Sequence, residues 1–204
     1  LRNLNNARYH LQKAIEIDPT HASTVLLYSY ALNDSDRWIQ SLLSFHFFLL
    51  LEPNTERSKD AFGEMMDLLE QSLDANSPRL LPEDGINRKL LYQQIREVYP
   101  TATTPEAKYD FFEKASQIIF FSLSQQQSDD KRGLLWDFYV PIFTEVIESG
   151  YFSSYCKYVS SSYFPQSLAW WNNNKDEVDK FISWFEEGQG SENEDSSDFG
   201  DDSE

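Results

Sequence analysis

Two short pieces of this chain, Lys13-Ala14-Ile15-Glu16-Ile17-Asp18-Pro19 and Phe48-Leu49-Leu50-Leu51-Glu52-Pro53, close in the same way, and their prolines lie 34 residues apart. That spacing is the period of a helix-turn-helix solenoid. Units of this kind bury their apolar faces against their neighbours and build an extended surface with no intrinsic catalytic centre. The period predicts helices over about 4–17, 22–33, 36–51 and 56–73, and a binding scaffold as the role.

Local chemistry supports the same division. Ala7, Leu11 and Ala14 recur at three- and four-residue steps, which places them on one helix face where small side chains let a neighbour approach. Pro19 and Pro53 cannot continue a helix and force turns. Thr20 and Asn54-Thr55 offer side-chain oxygens as N-caps for the helices that follow. With its closing Pro19, this first set resembles the second helix of a tetratricopeptide repeat. Ser29, Leu32, Ser41, Phe45 and Pro53 supply a second, weaker unit, with Phe48 where the pattern has a small residue. Phe62-Gly63 resembles the opening of a third. The resemblance covers about residues 1–73.

The resemblance implies a concave groove lined by the first helix of each unit. Ser23, Leu26, Tyr30 and Asn33 share one face, and Arg57, Asp60, Glu64 and Asp67 share the equivalent face of the next unit. These are the expected partner contacts. Part of the family grips a terminal carboxylate with basic side chains; the matching positions here hold Leu26, Tyr30 and Ala61, with only Arg57 basic, so that clamp is missing. An acidic groove containing Tyr30 suits another protein or peptide that is basic or mixed amphipathic.

Composition narrows the choices further. The chain carries 34 acidic and 17 basic residues, a formal charge of −17, and 40% hydrophobic residues, enough for a real core. Residues 188–204 hold seven acids and no base, which leaves −10 on the rest. Such a body is repelled by phosphate backbones and anionic lipid, so neither nucleic acid nor membrane is an expected partner. The apolar run Leu42–Leu51 is about half of what a bilayer span needs and reads as a buried core helix. Cys156 stands alone, which excludes an internal disulfide and suits a reducing compartment, so a cytoplasmic location is expected. The chain opens inside a repeat's second helix, so a partner helix is expected upstream.

The predicted class is all-α: a tetratricopeptide-like solenoid over 1–73, an irregular aromatic-rich helical region over 84–187 that caps it or packs on it, and a disordered acidic tail over 188–204. Turn chemistry at 74–83, with Asn76-Ser77-Pro78 and Pro82-Glu83-Asp84-Gly85, marks the boundary. Beyond it, Ile86, Leu90, Leu91 and Ile95 form one amphipathic stripe. Thr104-Pro105-Glu106 starts a helix carrying Phe111, Phe112, Ala115, Ile118, Ile119 and Ser122. Ser128-Asp129-Asp130 is read as the cap of the next helix, which Pro141 kinks by biasing Val140 away from helix, and which Gly150 ends. Val178, Phe181, Ile182 and Phe185 line a last helix over about 175–187, stopped at Gly188.

No catalytic constellation is visible. His10, His21 and His46 show no metal-ligand spacing, and no phosphate loop or nucleophile elbow occurs, so no enzyme activity, metal or cofactor is expected. Aromatic residues concentrate in 136–185 and read first as packing. Trp170 and Trp171 are adjacent on a helix and cannot share a face, which offers one ring as an anchor for a partner. A carbohydrate or small-molecule site on these rings is the alternative. Tetratricopeptide-like helices occur in glycan-capture lipoproteins of gut bacteria, which are far longer than this chain.

Overall fold

The computed structural model describes residues 2–71 and 85–191. Ten helices form there: α1 (Arg2–Ile17), α2 (Ala22–Asn33), α3 (Trp38–Leu51), α4 (Glu56–Gln71), α5 (Arg88–Glu97), α6 (Pro105–Ser124), α7 (Val140–Glu148), α8 (Phe152–Val159), α9 (Pro165–Asn173) and α10 (Lys175–Ser191). Among the described residues there is no strand, and no helix is long and apolar enough to cross a membrane. The predicted boundary at 74–83 and the end of the acidic tail, 192–204, lie outside the described residues.

The organising element is α3. Every residue from Trp38 to Leu50 is buried, so this mostly apolar helix has no solvent-facing side and is enclosed all round. α2 and α4 cover it from its own half of the chain, while α8 and the turn before α7 cover it from the other. One contiguous core results, running from Ile15 to Phe181. Three serines let α2 and α3 approach closely: Ser29 Oγ donates to Ser44 Oγ (2.9 Å), and Ser41 Oγ donates to the Ser29 carbonyl (2.9 Å). Tyr139 Oη donates to Ser44 Oγ at 3.2 Å and ties the second half into the same seam.

Several ends differ from the sequence expectation. His21, not Thr20, caps α2, its ring nitrogen accepting from Thr24 N–H, because Thr20 is turned to Asp18 Oδ1 (2.7 Å). Thr55 caps α4 as expected, accepting from Ser58 N–H at 3.2 Å. Asp36 takes a left-handed φ of 58°, so α3 begins at Trp38 and not at 36. On α1 the buried residue is Ile15, with Leu11 beside it, whereas Ala7 and Ala14 are exposed; the packing stripe is rotated from the small-residue face. Leu90 is likewise exposed, while Leu91 and Ile95 carry the inward face of α5, which Asn87 caps.

Thr104 caps α6 with Pro105 in its first turn, as the sequence indicates. Ser128-Asp129-Asp130 caps nothing: Ser128 Oγ bonds Asp130 Oδ1 (2.6 Å) in a turn, and the helical path starts after Gly133, which has a φ of 100°. Pro141 leaves Val140 helical (φ −62°, ψ −45°) and is accommodated one turn earlier, where Leu135–Tyr139 forms a π-helical turn and Val140 N–H reaches the Leu135 carbonyl. The wider register relieves the clash between the proline ring and the carbonyl four residues back. α10 passes through Gly188 and ends at Ser191.

Candidate functional site

α2 and α4 present their outward faces side by side. Residues 60, 64 and 67 fall one helical turn apart on α4, and all three are exposed acids. Together with Tyr30 from α2, Lys59, Gly63 and Tyr163 they line an open groove of about 500 Å³. Tyr163 enters from the turn between α8 and α9 and leans on Phe62 at 4.9 Å between ring centroids, so the second half of the chain closes one wall. A Cβ on Gly63 would meet Tyr163 at 3.6 Å, an ordinary contact, so the groove floor does not depend on glycine.

Tyr30 is half-buried and packs edge-to-face on Phe45 at 5.3 Å. Burial first, then the carboxylates of Glu64 and Asp60, push its phenol above the ordinary value. The proton therefore stays on Tyr30, and an O–H donor sits among carboxylate acceptors. A cation with an apolar stem finds here both charge and an aromatic face.

The other expected contacts fall nearby but outside the groove lining. Arg57 Nη1 donates to Ser23 Oγ at 3.0 Å, joining positions 34 residues apart in the chain. Arg57 also pairs with Glu52 and lies 5.6 Å over the Phe48 ring; the ion pair holds the Glu52 carboxyl below its usual range. Arg57 thus joins the start of α4 to the start of α2 and to the end of α3. Leu26 packs against the core, and Asn33 is half-buried near the end of α2.

Trp170 and Trp171 lie elsewhere and both are engaged within the fold. Trp170 Nε1 donates to Glu177 Oε2 at 3.1 Å, with the Lys157 ammonium 5.4 Å from its ring. Trp171 stacks on Tyr158 at 4.9 Å. Both rings are half-buried.

His46 proves to be fully enclosed in the core. Its Nδ1 lies 2.6 Å from Tyr155 Oη and its Nε2 3.4 Å from Ser116 Oγ, inside a cage of Phe112, Phe120 and Phe143. Burial lowers its pKa to about 3, which keeps the ring neutral. Its role is to join α3, α6 and α8. Among the described residues, no group of three or more His, Cys, Asp or Glu side chains could hold a metal ion.

Of the expected contacts, the structure brings Tyr30, Asp60, Glu64 and Asp67 to one groove; helical spacing puts each set on one face of its own helix, and the expectation that the two faces share a groove came from the resemblance. Sequence reasoning missed Lys59, which sits beside Asp60, and Tyr163, whose arrival depends on the long-range fold. Comparison with protein-family models, with curated proteins and with solved structures finds no match to this chain.

Proposed function

We propose that the chain is a non-enzymatic interaction scaffold of tetratricopeptide-like character, binding a basic or mixed amphipathic protein segment in the groove between α2 and α4. The observation that carries the reading is the convergence of Asp60, Glu64 and Asp67 with Tyr30 in one groove of about 500 Å³. Three exposed carboxylates on one helix face attract a cation-rich segment and set its orientation, and an aromatic ring at their centre gives its apolar stems a surface. The second half of the chain encloses α3 and completes the groove wall through Tyr163, so the helices beyond residue 84 act as a closing cap.

The test is fluorescence anisotropy with a labelled amphipathic Lys/Leu peptide and with its Glu/Leu counterpart. The cationic peptide is expected to bind with an affinity that falls as salt rises, and the acidic one not to bind. Asp60→Asn with Glu64→Gln is expected to weaken the cationic peptide about tenfold or more, as loss of complementary charge across an interface does. Tyr30→Ala is expected to weaken it without changing the salt slope. Equal affinity in the wild type and the carboxamide variant overturns the reading.

A further inference from the structure

A separate cleft opens where the turn between α1 and α2 meets α10. Phe47 and Leu50 from the end of α3 and Phe181 from α10 are buried and form its floor. Leu51, Ile182 and Phe185 are only half-buried and form its walls, with Pro19 and Thr20 closing one end. Helical spacing accounts for the α10 side, since residues 181, 182, 185 and 186 fall on one side of that helix. The cleft has a volume of about 320 Å³, at the small end of ligand sites, which suits a single ring with a short arm. None of its residues lines the acidic groove.

Its polar groups are few. Glu186 is the only charged side chain lining the cleft, and it is exposed. Tyr158 from α8 packs its ring on Phe181 (5.0 Å) and on Trp171 (4.9 Å). Among the described residues, neither the Tyr158 hydroxyl nor the Glu186 carboxylate has a hydrogen-bond or ion-pair partner. Burial first, then the charge of Glu186, raises the Tyr158 phenol to about 12, so it keeps its proton with the carboxylate in electrostatic reach.

An apolar cleft whose one charge is an unpaired carboxylate complements an apolar body that carries one cation. An anion is repelled by Glu186 and by the net charge of −17, and a neutral hydrocarbon leaves the carboxylate without a partner. An ammonium has three N–H donors, and both the carboxylate and the phenol oxygen accept. The chain's own C-terminal segment fits less well. Phe199, its one large apolar residue beyond Ser191, is flanked by Asp198, Asp201 and Asp202, which would set like charges against Glu186.

We propose that this cleft binds a small primary amine, its ring or short alkyl body lying on Phe47, Leu50, Ile182 and Phe185, its ammonium held by Glu186, and Tyr158 Oη accepting a second N–H.

The test uses the full chain with isotope-labelled Leu and Ile methyl groups, followed by nuclear magnetic resonance during titration with phenethylamine, with the uncharged phenethyl alcohol and with the anionic phenylpropionate. Saturable shifts at the Leu50, Leu51 and Ile182 methyls are expected with the amine, binding about fivefold weaker with the alcohol, and none with the anion, as loss of one partly exposed charge pair implies. Glu186→Gln is expected to bring the amine down to the alcohol's affinity and to leave the alcohol's own affinity and the far-ultraviolet circular dichroism unchanged, because Glu186 is exposed. The Asp60→Asn, Glu64→Gln variant is expected to keep the cleft shifts, which separates this site from a cation held in the acidic groove. Equal affinity for amine and alcohol, an amine affinity unmoved by Glu186→Gln, or shifts that vanish in the Asp60→Asn, Glu64→Gln variant overturns the proposal. Movement of the same methyl signals by Phe199→Ala without ligand also overturns it, because the chain's own C-terminal segment would then fill the cleft.

Discussion

Lowering the pH from 7 to 5 tests the central histidine. His46 is fully enclosed, and burial lowers its pKa to about 3 from an ordinary 6.5. In the unfolded chain the imidazole takes up a proton as the pH falls through 6.5, while in the folded chain it stays neutral. The unfolded state therefore binds more protons in this window, and stability is lost as pH falls between 6.5 and 3. The slope approaches about 1.4 kcal/mol per pH unit, and the loss attributable to this one group between pH 7 and pH 5 is about 2 kcal/mol. Urea unfolding followed by tryptophan fluorescence at several pH values supplies the free energies. Other groups titrate too, Glu113 among them, so the decisive quantity is the difference between wild type and His46→Asn, which retains a polar partner for Tyr155 but cannot titrate. That difference is expected to shrink by about 2 kcal/mol on going from pH 7 to pH 5. A double variant, His46→Leu with Tyr155→Phe, removes both ends of the hydrogen bond and is expected to show the same flattened pH response. Wild type and variants losing stability in parallel over this range refutes the reasoning, since it means the folded state lets His46 charge.

Three further outcomes are expected. Cys156 is buried, and desolvation pushes its thiol well above the ordinary value, so an aromatic disulfide reagent is expected to label it only as fast as the chain unfolds; immediate stoichiometric labelling in native buffer contradicts this. Gly150 closes α7 at a φ of 81°, and a Cβ there would meet nothing within 4 Å, so Gly150→Ala is expected to cost about 1 kcal/mol through backbone conformation alone, read from the urea midpoint. Tyr139→Phe deletes the hydroxyl that reaches Ser44 while keeping the ring, and is expected to cost about 1 kcal/mol with an unchanged far-ultraviolet spectrum; no measurable loss in urea unfolding removes that bond from the α2–α3 seam.

The sequence was most legible where a single residue decides a local outcome. Pro19 and Pro53 fixed the turns, Thr104-Pro105 fixed the start of α6, and Gly150 fixed the end of α7, because proline and glycine act through their own backbone geometry. It was less legible where two signals compete. Thr20 had the chemistry of a cap but was taken by Asp18, leaving the role to His21. Pro141 was expected to disturb its own position, yet the helix absorbed the strain one turn earlier by widening. The stripe on α1 was misplaced by treating Ala7 and Ala14 as the packing face when Leu11 and Ile15 held it. Helical periodicity also brought out the acidic face of α4.

The enclosure of α3 also has a meaning for how the chain is made. His46 finds its partner Tyr155 109 residues later. At roughly 5–20 residues per second, translation leaves about 5–20 s during which this almost wholly apolar helix has emerged without α8 to cover it. Local hairpins with α2 and α4 form early and hide two sides; the third stays open to solvent or to any chaperone waiting there. Slow codons or ribosome pauses between residues 51 and 152 would lengthen that interval, so the yield of folded protein is coupled to elongation speed over this stretch.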